Sequence, residues 1–411
     1  MSVYLLVTLD TKGDEAAFVR DRLQAMGVEV TVVDAGCIGQ PSFAGDVTRD
    51  EVFQAAGTTL EAMIAKNDRG DAVTQAAVGA AKLVAGAFAA GQVDGVMSLG
   101  GSAGTTIGTT AMRTLPIGVP KLMVSTLASG QVRQYVGSKD IMMLNSVVDI
   151  AGINRISRRI LAEAAAAMAG LVQNPIADSA DDRPLVAATM FGVTTPCVQR
   201  ARELLEEAGY EVLVFHATGN GGEAMESLVA EGMIAGVLDI TTTELADELV
   251  GGILSAGPER LTAAARLGVP HVVSVGATDM VNFGPRDTVP DKFKDRLFYQ
   301  HNPTVTLMRT TPEECAAIGK DIAKKVAASK GPAAIYLPRN GVSAIDAAGQ
   351  PFDAPEAREA LLDAIRQHHG SVELVELPNH INDPEFAEAS ARRLIEVIEP
   401  NQKPQTTKNE V

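Results

Sequence analysis

Short apolar runs that alternate with helix-period stretches are the main pattern of this chain. Residues 4–9 form the first run, residues 10–13 a polar turn, and residues 28–33 a second run that follows a stretch with helical period. Apolar runs of this length, each followed by a turn and a helical stretch, are typical of buried parallel strands covered by helices. The pattern therefore predicts an α/β fold.

The same pattern occurs a second time in the chain. When the first unit is laid without gaps on the segment that follows Pro184, Asp34 falls on His216. The matched segments are 27–30 with 209–212, 93–102 with 234–243, and 115–126 with 265–276. Matches in a constant order predict two homologous Rossmann-like domains with parallel sheets that face each other across a cleft. The first domain carries an insertion of about 40 residues before its glycine-rich loop.

The boundary between the two domains is predicted in a polar segment, residues 174–184, which ends in proline. We assign residues 1–177 to the first domain and residues 178–411 to the second. The polar tail, residues 399–411, is predicted to be frayed.

The second domain continues beyond the repeated part. A helix is predicted to begin after Thr311, with Pro312 in its first turn and Glu314 completing a capping box. Asn282, Phe283 and Gly284, within the segment 278–287, are predicted to form a loop that could close over the cleft.

Composition and net charge limit the classes of partner that the protein can bind. The chain is 46% apolar and 21% charged, and its net charge is −16. Nucleic acids and anionic membranes bind basic surfaces, so neither is expected as a partner. No stretch approaches the roughly 20 apolar residues of a transmembrane helix. The three cysteines are far apart and lack metal-binding spacing, which fits a cytoplasmic protein.

The glycine-rich loop of the first domain, "GVMSLGGSAGTT", begins at Gly95 and ends at Thr106. Its glycines permit a close approach of the backbone to a ligand, and its hydroxyls lie at the start of the next helix. The loop matches neither the dinucleotide-binding motif nor the P-loop motif. Alone it is equally consistent with a phosphate site and with a tight turn between strand and helix.

Lys12 favours the phosphate interpretation, because it follows another strand that ends at the same edge of the sheet. Asp10 could hold a metal or a ribose hydroxyl, and Asp34 follows the second strand, where Rossmann-like domains often bind ribose. An Asx-turn is the alternative for Asp34. The predicted cofactor-binding residues are Thr8, Asp10, Thr11, Lys12, Asp34, Gly100, Gly101, Ser102, Gly104, Thr105, Thr106, Ser125 and Thr126.

The second domain presents a different set of loops at its strand ends. His216 is a candidate general acid or base, although a structural histidine is the more common case. Glu244 is the second candidate catalytic residue, with a capping box as the alternative. The predicted substrate-binding residues are Gly192, Thr194, Thr195, Thr218, Gly219, Gly221, Gly222, Thr241, Thr242 and Thr243. No metal ligands can be assigned from spacing.

Several motifs together resemble one protein family. They include "LVTLDTKGDE", "GVMSLGGSAGTT", "FHATGNGGEAMESL" and "LDITTTELADELVGG". The chain resembles an uncharacterised bacterial and plant family that includes the ATP-binding N-terminal domain of the tomato mosaic virus resistance protein. The resemblance extends over nearly the whole chain.

The resemblance implies ATP or ADP binding with Mg²⁺ and a homodimer. In the plant relative a TIM-barrel region similar to phosphoenolpyruvate hydrolases follows, so a separate TIM-barrel partner is expected for this chain. Two functions are consistent with these expectations. One is an ATP-dependent enzyme that acts on a small acid or sugar in the cleft, and the other is a nucleotide-sensing regulatory subunit without chemistry of its own.

Overall fold

A five-stranded parallel sheet forms the centre of the first half of the chain, because its strands are apolar at almost every position. A computed structural model describes residues 1–176 and 182–399. Two compact units result, unit 1 (Met1–Asp178) and unit 2 (Ser179–Val411). The strands of unit 1 are β1 (Ser2–Val7), β2 (Glu29–Asp34), β3 (Gly95–Gly100), β4 (Lys121–Ser125) and β5 (Met142–Asn145), in the order β2-β1-β3-β4-β5.

Helices cover both faces of this sheet. They are α1 (Leu9–Ala25), α2 (Arg49–Ala56), α3 (Leu60–Lys66), α4 (Arg69–Ala89), α5 (Ser102–Met112), α6 (Arg133–Val136) and α7 (Arg155–Gln173). Alternate residues of β1 face opposite layers: Leu5 packs in the cluster that contains α1 and α7, and Leu6 packs in the cluster that contains α2, α4 and α5.

A six-stranded parallel sheet forms the centre of unit 2. Its strands are β6 (Leu185–Met190), β7 (Glu211–His216), β8 (Gly236–Thr241), β9 (His271–Gly276), β13 (Ala333–Pro338) and β14 (Glu373–Leu377), in the order β14-β13-β9-β8-β6-β7. A small antiparallel sheet contains β10 (Met280–Phe283), β11 (Phe298–Asn302) and β12 (Val305–Arg309), in the order β10-β12-β11. The helices are α8 (Thr195–Glu207), α9 (Asn220–Ala230), α10 (Thr243–Val250), α11 (Ala263–Leu267), α12 (Pro312–Ala327), α13 (Pro355–His368) and α14 (Pro384–Ile398).

The two parallel sheets confirm the predicted α/β class. The predicted insertion is also present: three helices, α2, α3 and α4, lie between β2 and β3, where unit 2 has only α9 between β7 and β8. The predicted capping box is confirmed, since the hydroxyl of Thr311 accepts the N–H of Glu314. The predicted domain boundary after residue 177 and most of the polar tail lie outside the described residues.

The prediction of a loop at Asn282, Phe283 and Gly284 is wrong for the first two residues, which belong to β10. Met280, Val281 and Phe283 belong to β10 and are buried, because they pack in hydrophobic clusters of unit 2. The polar residue among them, Asn282, is held by Asp247: its backbone N–H donates to that carboxylate at 2.9 Å, while its side-chain Oδ1 is buried without a partner among the described residues.

Strand pairing tests the internal repeat residue by residue. Val3 pairs with Val30 in unit 1, and Val186 pairs with Val212 in unit 2. The gapless alignment lays Val3 on the residue before Val186, so it is wrong by one residue in the first strand. Unit 1 has one more residue between the paired positions, and the backbone of Lys12 leaves the helical region within α1, at φ −133° and ψ 27°.

The other matched strands agree with the alignment, and their side chains behave alike. Lys121 of β4 and His271 of β9 are matched residues, and both are buried. The ammonium of Lys121 donates to the carbonyl oxygen of Val119 at 2.8 Å. Nδ1 of His271 lies 2.8 Å from the carbonyl oxygen of Val269, which is matched to Val119. A cation and an imidazole thus make the same local contact in the two units.

Helix α4 is long and apolar enough, by length and composition, to cross a membrane, and it is the single such helix in the described part of the chain. Core helices meet the same criterion, so this finding is weak evidence for a membrane span. Ala76, Ala80 and Val84 of this helix are buried in the core of unit 1.

Candidate functional site

The strand order reverses once in each parallel sheet. In unit 1 the chain moves from β1 to β2 on one side and to β3 on the other, so the reversal lies between β1 and β3. Ligands of open α/β sheets bind beyond the carboxyl ends of the strands at such a point. The segments that follow β1 and β3 are those that hold Lys12 and the glycine-rich loop, as the sequence predicts.

Helix α5 begins at this point with free backbone donors. No side chain caps its first turn, and no described hydrogen bond takes the N–H groups of Ser102, Ala103 or Gly104. The first N–H that is bonded is that of Thr105, which donates to the carbonyl of Gly101 at 2.8 Å. Free N–H groups and the helix dipole favour an anion at this position.

Of the four glycines of the loop, the three at positions 100, 101 and 104 differ in whether the fold requires them. Gly100 has φ +155°, a value that side chains disfavour. A Cβ at Gly104 would lie 2.9 Å from the carbonyl oxygen of Leu99. Gly101 has an ordinary φ of −83°, and a Cβ there would be 3.7 Å from its nearest neighbour, the hydroxyl of Thr126. The fold therefore requires glycine at positions 100 and 104 but not at position 101.

Some of the predicted hydroxyls serve the scaffold. Thr105 and Ser125 are buried, and their hydroxyl oxygens are 2.7 Å apart, which ties α5 to the end of β4. The hydroxyl of Thr106 donates to the carbonyl of Ser102 at 2.9 Å within the helix. Thr126 and the exposed Ser102 are the loop hydroxyls that remain accessible at the start of α5.

The segment after β1 supplies the other accessible groups. The hydroxyls of Thr8 and Thr11 are 2.9 Å apart at the exposed start of α1. Lys12 is half-buried, and its ammonium forms no ion pair with a described residue. One carboxylate oxygen of Asp10 accepts three consecutive backbone N–H groups, those of residues 37–39, at 2.9 to 3.1 Å. Asp10 therefore anchors the loop that follows β2.

Asp34 is not open to a ligand. It is buried, and its Oδ2 accepts from Nε of Arg49 at 2.9 Å. Its Oδ1 accepts the N–H of Gly36 at 2.9 Å. The predicted Asx-type bond to the following turn is therefore present, together with an ion pair. Nη2 of Arg49 is buried without a hydrogen-bond partner among the described residues.

In unit 2 the strand order reverses between β6 and β8, and hydrogen bonds between threonine side chains fill this position. The hydroxyl oxygens of Thr194 and Thr241 are 2.8 Å apart, and both residues are fully buried. The hydroxyl of Thr241 also donates to the carbonyl of Thr189 at 3.1 Å. These bonds join the turn after β6 to the end of β8, so no ligand can enter between them without breaking them.

The remaining predicted threonines of unit 2 are also bonded within the unit. The hydroxyl of Thr195 donates to the carbonyl of Phe191 at 3.2 Å, and that of Thr242 donates to the carbonyl of Ser274 at 3.0 Å. Thr243 is fully buried. Thr218 is half-buried, and its hydroxyl donates to a carbonyl two residues earlier. Gly192 lies exposed before α8.

Glu244 is the centre of a buried network. Its Oε1 accepts the N–H groups of Gly219 and Gly222 at 2.7 and 3.1 Å, at the start of α9. Its Oε2 accepts from Nε of Arg260 at 2.6 Å. Arg260 is fully buried and also donates to both carboxylate oxygens of Asp239. Burial opposes the charge of Arg260, but these carboxylates hold its pKa well above its ordinary value.

The network explains the glycines of the "HATGNGG" segment. A Cβ at Gly222 would overlap the carboxylate of Glu244, and a Cβ at Gly221 would overlap the carbonyl of His216. Gly219 has φ +85°. His216 itself is exposed at the end of β7, and its ring stacks on that of Phe191 with centroids 5.4 Å apart. The structure thus separates the exposed His216 from the buried Glu244.

Sequence reasoning missed Arg49 and Arg260. Each is a single arginine without a motif around it, and each becomes important only because the fold brings distant carboxylates to it. Arg260 gives no signal in the sequence, because it follows Glu259 in a short polar segment before α11. The described residues contain no group of three or more His, Cys, Asp or Glu side chains arranged to hold a metal ion.

Family models match both halves of the chain. Residues 1–177 match the N-terminal domain of the Uncharacterised protein family (UPF0261), and residues 183–398 match the C-terminal domain of that family. The chain belongs to the UPF0261 family. The resemblance that the motifs indicate is thereby confirmed.

Individual relatives match most of this chain. A UPF0261 protein of Clostridium tetani is 50% identical over 399 residues, which is 97% of this chain and 99% of that protein. One of Mesorhizobium japonicum is 45% identical over 95% of this chain and 97% of its own length. The ToMV resistance protein Tm-1(GCR237) of Solanum lycopersicum is 47% identical over 311 residues, which is 74% of this chain but 41% of the tomato protein.

Proposed function

We propose that unit 1 binds ATP together with Mg²⁺, with the phosphates against the N-terminus of α5. The observation that carries the proposal is Gly101, which has ordinary backbone angles and where an added Cβ would make only an ordinary contact, 3.7 Å from the hydroxyl of Thr126. The fold gives no reason for glycine at this position. A ligand that must approach the backbone closely does give one.

The surrounding groups fit a nucleotide phosphate. The free N–H groups of residues 102–104 would donate to phosphate oxygens, and the hydroxyls of Ser102 and Thr126 are accessible beside them. Lys12, on the neighbouring segment, is a cation without an ion pair to a described residue. Mg²⁺ would arrive on the phosphates, because nucleotide-bound magnesium keeps several waters and needs few protein ligands.

A regulatory role is the second candidate, and the state of unit 2 favours it over catalysis on a small acid or sugar. The threonines predicted to bind a second substrate are bonded to the scaffold, and Glu244 is buried against Arg260. A protein that senses ATP and controls a TIM-barrel partner needs no second substrate site. The matched region is 41% of the tomato relative. The rest of that protein could take the role that a separate partner has for this chain.

Calorimetric titration of the full chain with MgATP tests the binding proposal. Gly101→Val adds a branched side chain above the start of α5, and we expect it to weaken ATP binding by more than about tenfold without loss of secondary structure. Gly170→Val on α7 is the matched control, since a Cβ at Gly170 meets nothing within 4 Å. Equal ATP affinity in the wild type and Gly101→Val would move the site elsewhere.

A further inference from the structure

A cavity of unit 1 lies between the loop that follows β2 and the helices α3 and α4. Its volume is about 170 Å³. One wall is the loop after β2, and the other walls are the end of α3 and the start of α4. The residues that line it are Cys37, Ile38, Met63, Ile64, Asn67, Asp68, Arg69 and Ala72.

We propose that this cavity, the α3 pocket, receives the adenine base of the nucleotide. The inference rests on the proposed function, because the base is taken to belong to the ligand whose phosphates contact α5. The α3 pocket would then be the part of the chain that distinguishes an adenine nucleotide from phosphate alone.

The α3 pocket is connected directly to the strand edge. Asp10, in the first turn of α1, accepts the backbone N–H groups of Cys37 and Ile38, which form one wall. The pocket wall is thus hydrogen-bonded to the segment that follows β1. A nucleotide with its phosphates between β1 and β3 would extend over the end of β2, where ribose and base lie in Rossmann-like domains.

The chemistry of the walls suits a flat, partly polar ring. Ile38 is 60% exposed and Ile64 is 56% exposed, although both are large apolar side chains. A planar base between them would cover apolar surface that now faces water. Burial raises the pKa of the Cys37 thiol to about 11, so this side chain is a neutral, apolar part of the wall.

The rim supplies a hydrogen-bonding edge. The side-chain amide of Asn67 forms no hydrogen bond with a described residue, and it offers a donor and an acceptor side by side. An asparagine amide matches the N6 and N7 groups of adenine in this way. Arg69 stands next to it with a planar cation that can stack on an aromatic ring.

The α3 pocket is specific to unit 1 among the two homologous units. Helix α3 and the first turn of α4 belong to the insertion between β2 and β3, and unit 2 has no counterpart for them between β7 and β8. Unit 1 also keeps the open start of α5. The two features that would bind base and phosphates therefore occur together in the same copy of the repeat.

Two ligands separate the base from the phosphates in calorimetric titrations of the full chain: MgATP and magnesium tripolyphosphate. Ile64→Trp fills the α3 pocket from an exposed position, and we expect it to weaken ATP binding at least tenfold while tripolyphosphate binding is unchanged. Asn67→Gly removes the amide and suits the positive φ of 51° at this position, and we expect a several-fold loss for ATP alone. Ile253→Trp is the matched control, since Ile253 is 62% exposed in unit 2.

The outcomes are distinguishable. Unchanged ATP affinity in Ile64→Trp, or equal wild-type affinity for ATP and tripolyphosphate, overturns the adenine assignment but leaves the proposed phosphate site standing. A wild-type chain that binds neither ligand overturns both. Equal losses for the two ligands in Ile64→Trp also count against the adenine assignment, because the variant would then act on the phosphates.

Discussion

At the scale of single residues, Gly100 of unit 1 and Thr241 of unit 2 stand at the same position of the internal repeat. The hydroxyl of Thr241 bonds to that of Thr194 and ties two strand ends together. Gly100 has no side chain and cannot form such a bond. The repeat thus places a hydroxyl that joins two strand ends at this position in unit 2 and no side chain at the same position in unit 1.

Asp247 of unit 2 makes stability depend on pH. Burial raises the pKa of its carboxyl from 3.8 to about 7. Two hydrogen bonds that Asn282 donates to the carboxylate act in the opposite direction, because they favour the ionised form. Because the folded-state pKa is the higher one, this contribution to stability is complete below pH 3.8 and is lost as the pH rises to about 7. Its full size is on the order of 4 kcal/mol.

Replacing Asp247 by Asn removes the titration. The Asn282 amide can then turn its unpartnered Oδ1 toward the new amide donor. We expect the free energy of unfolding of Asp247→Asn, relative to the wild type, to rise between pH 4 and pH 7 and to level off above. Urea unfolding followed by far-UV circular dichroism measures this, since the chain has no Trp.

The control for this prediction is Asp295→Asn, which changes an exposed aspartate of the same unit. It is expected to leave the slope of stability against pH as in the wild type. A constant difference between Asp247→Asn and the wild type from pH 4 to pH 7 would show that Asp247 is not the titrating group.

At the scale of elements, the crossing of α2 and α4 depends on one glycine. A Cβ at Gly79 of α4 would lie within bonding distance of the backbone oxygen of Val52 in α2, so no side chain fits there without moving the helices apart. Gly86, two turns later on the same helix, has open space around its Cβ position. The insertion is therefore fixed to the sheet layer by a close backbone contact.

This contrast predicts opposite effects of one substitution on the same helix. Gly79→Ala is expected to lower the free energy of unfolding by about 1–3 kcal/mol, because α2 and α4 must move apart to make room for the methyl group. Gly86→Ala is expected to raise it by roughly 0.5–1 kcal/mol, because alanine loses less backbone entropy in a helix. Urea unfolding of both variants is the measurement, and equal effects of the two would contradict the close contact.

Elements were predictable from the sequence where their signal is local. The apolar runs of β1 and β3 and the capping box at Thr311 contain their own evidence within a few residues. Strand β10 was missed because its four buried residues follow a polar turn and include Asn282, whose partner Asp247 is 35 residues away in the chain. Contacts of this kind, like those of Arg260, arise only when the fold is complete.

At the scale of the whole molecule, no hydrophobic cluster of the described residues contains residues of both units. Two clusters belong to unit 1 and four belong to unit 2. Chains of this size with their own cores are typical independent domains. We expect residues 1–176 and residues 182–399, expressed separately, each to unfold cooperatively in urea.

Circular dichroism of the two fragments and of the full chain shows whether each fragment keeps its secondary structure. The sum of their far-UV circular dichroism spectra should reproduce that of the full chain, weighted by residue number. A fragment that is soluble but unfolds without a cooperative transition would show that its core is incomplete without the other unit.

The carboxylate of Glu244 at the start of α9 has a consequence for how the two units respond to their surroundings. Unit 2 supplies its own anion to a helix N-terminus, whereas in unit 1 no described carboxylate accepts from the start of α5. A ligand that binds only the folded form stabilises it by about 2.7 kcal/mol when present at 100 times its dissociation constant. With ATP as that ligand, the lifetime of unit 1 against unfolding and proteolysis would follow the energy state of the cell, while that of unit 2 would not.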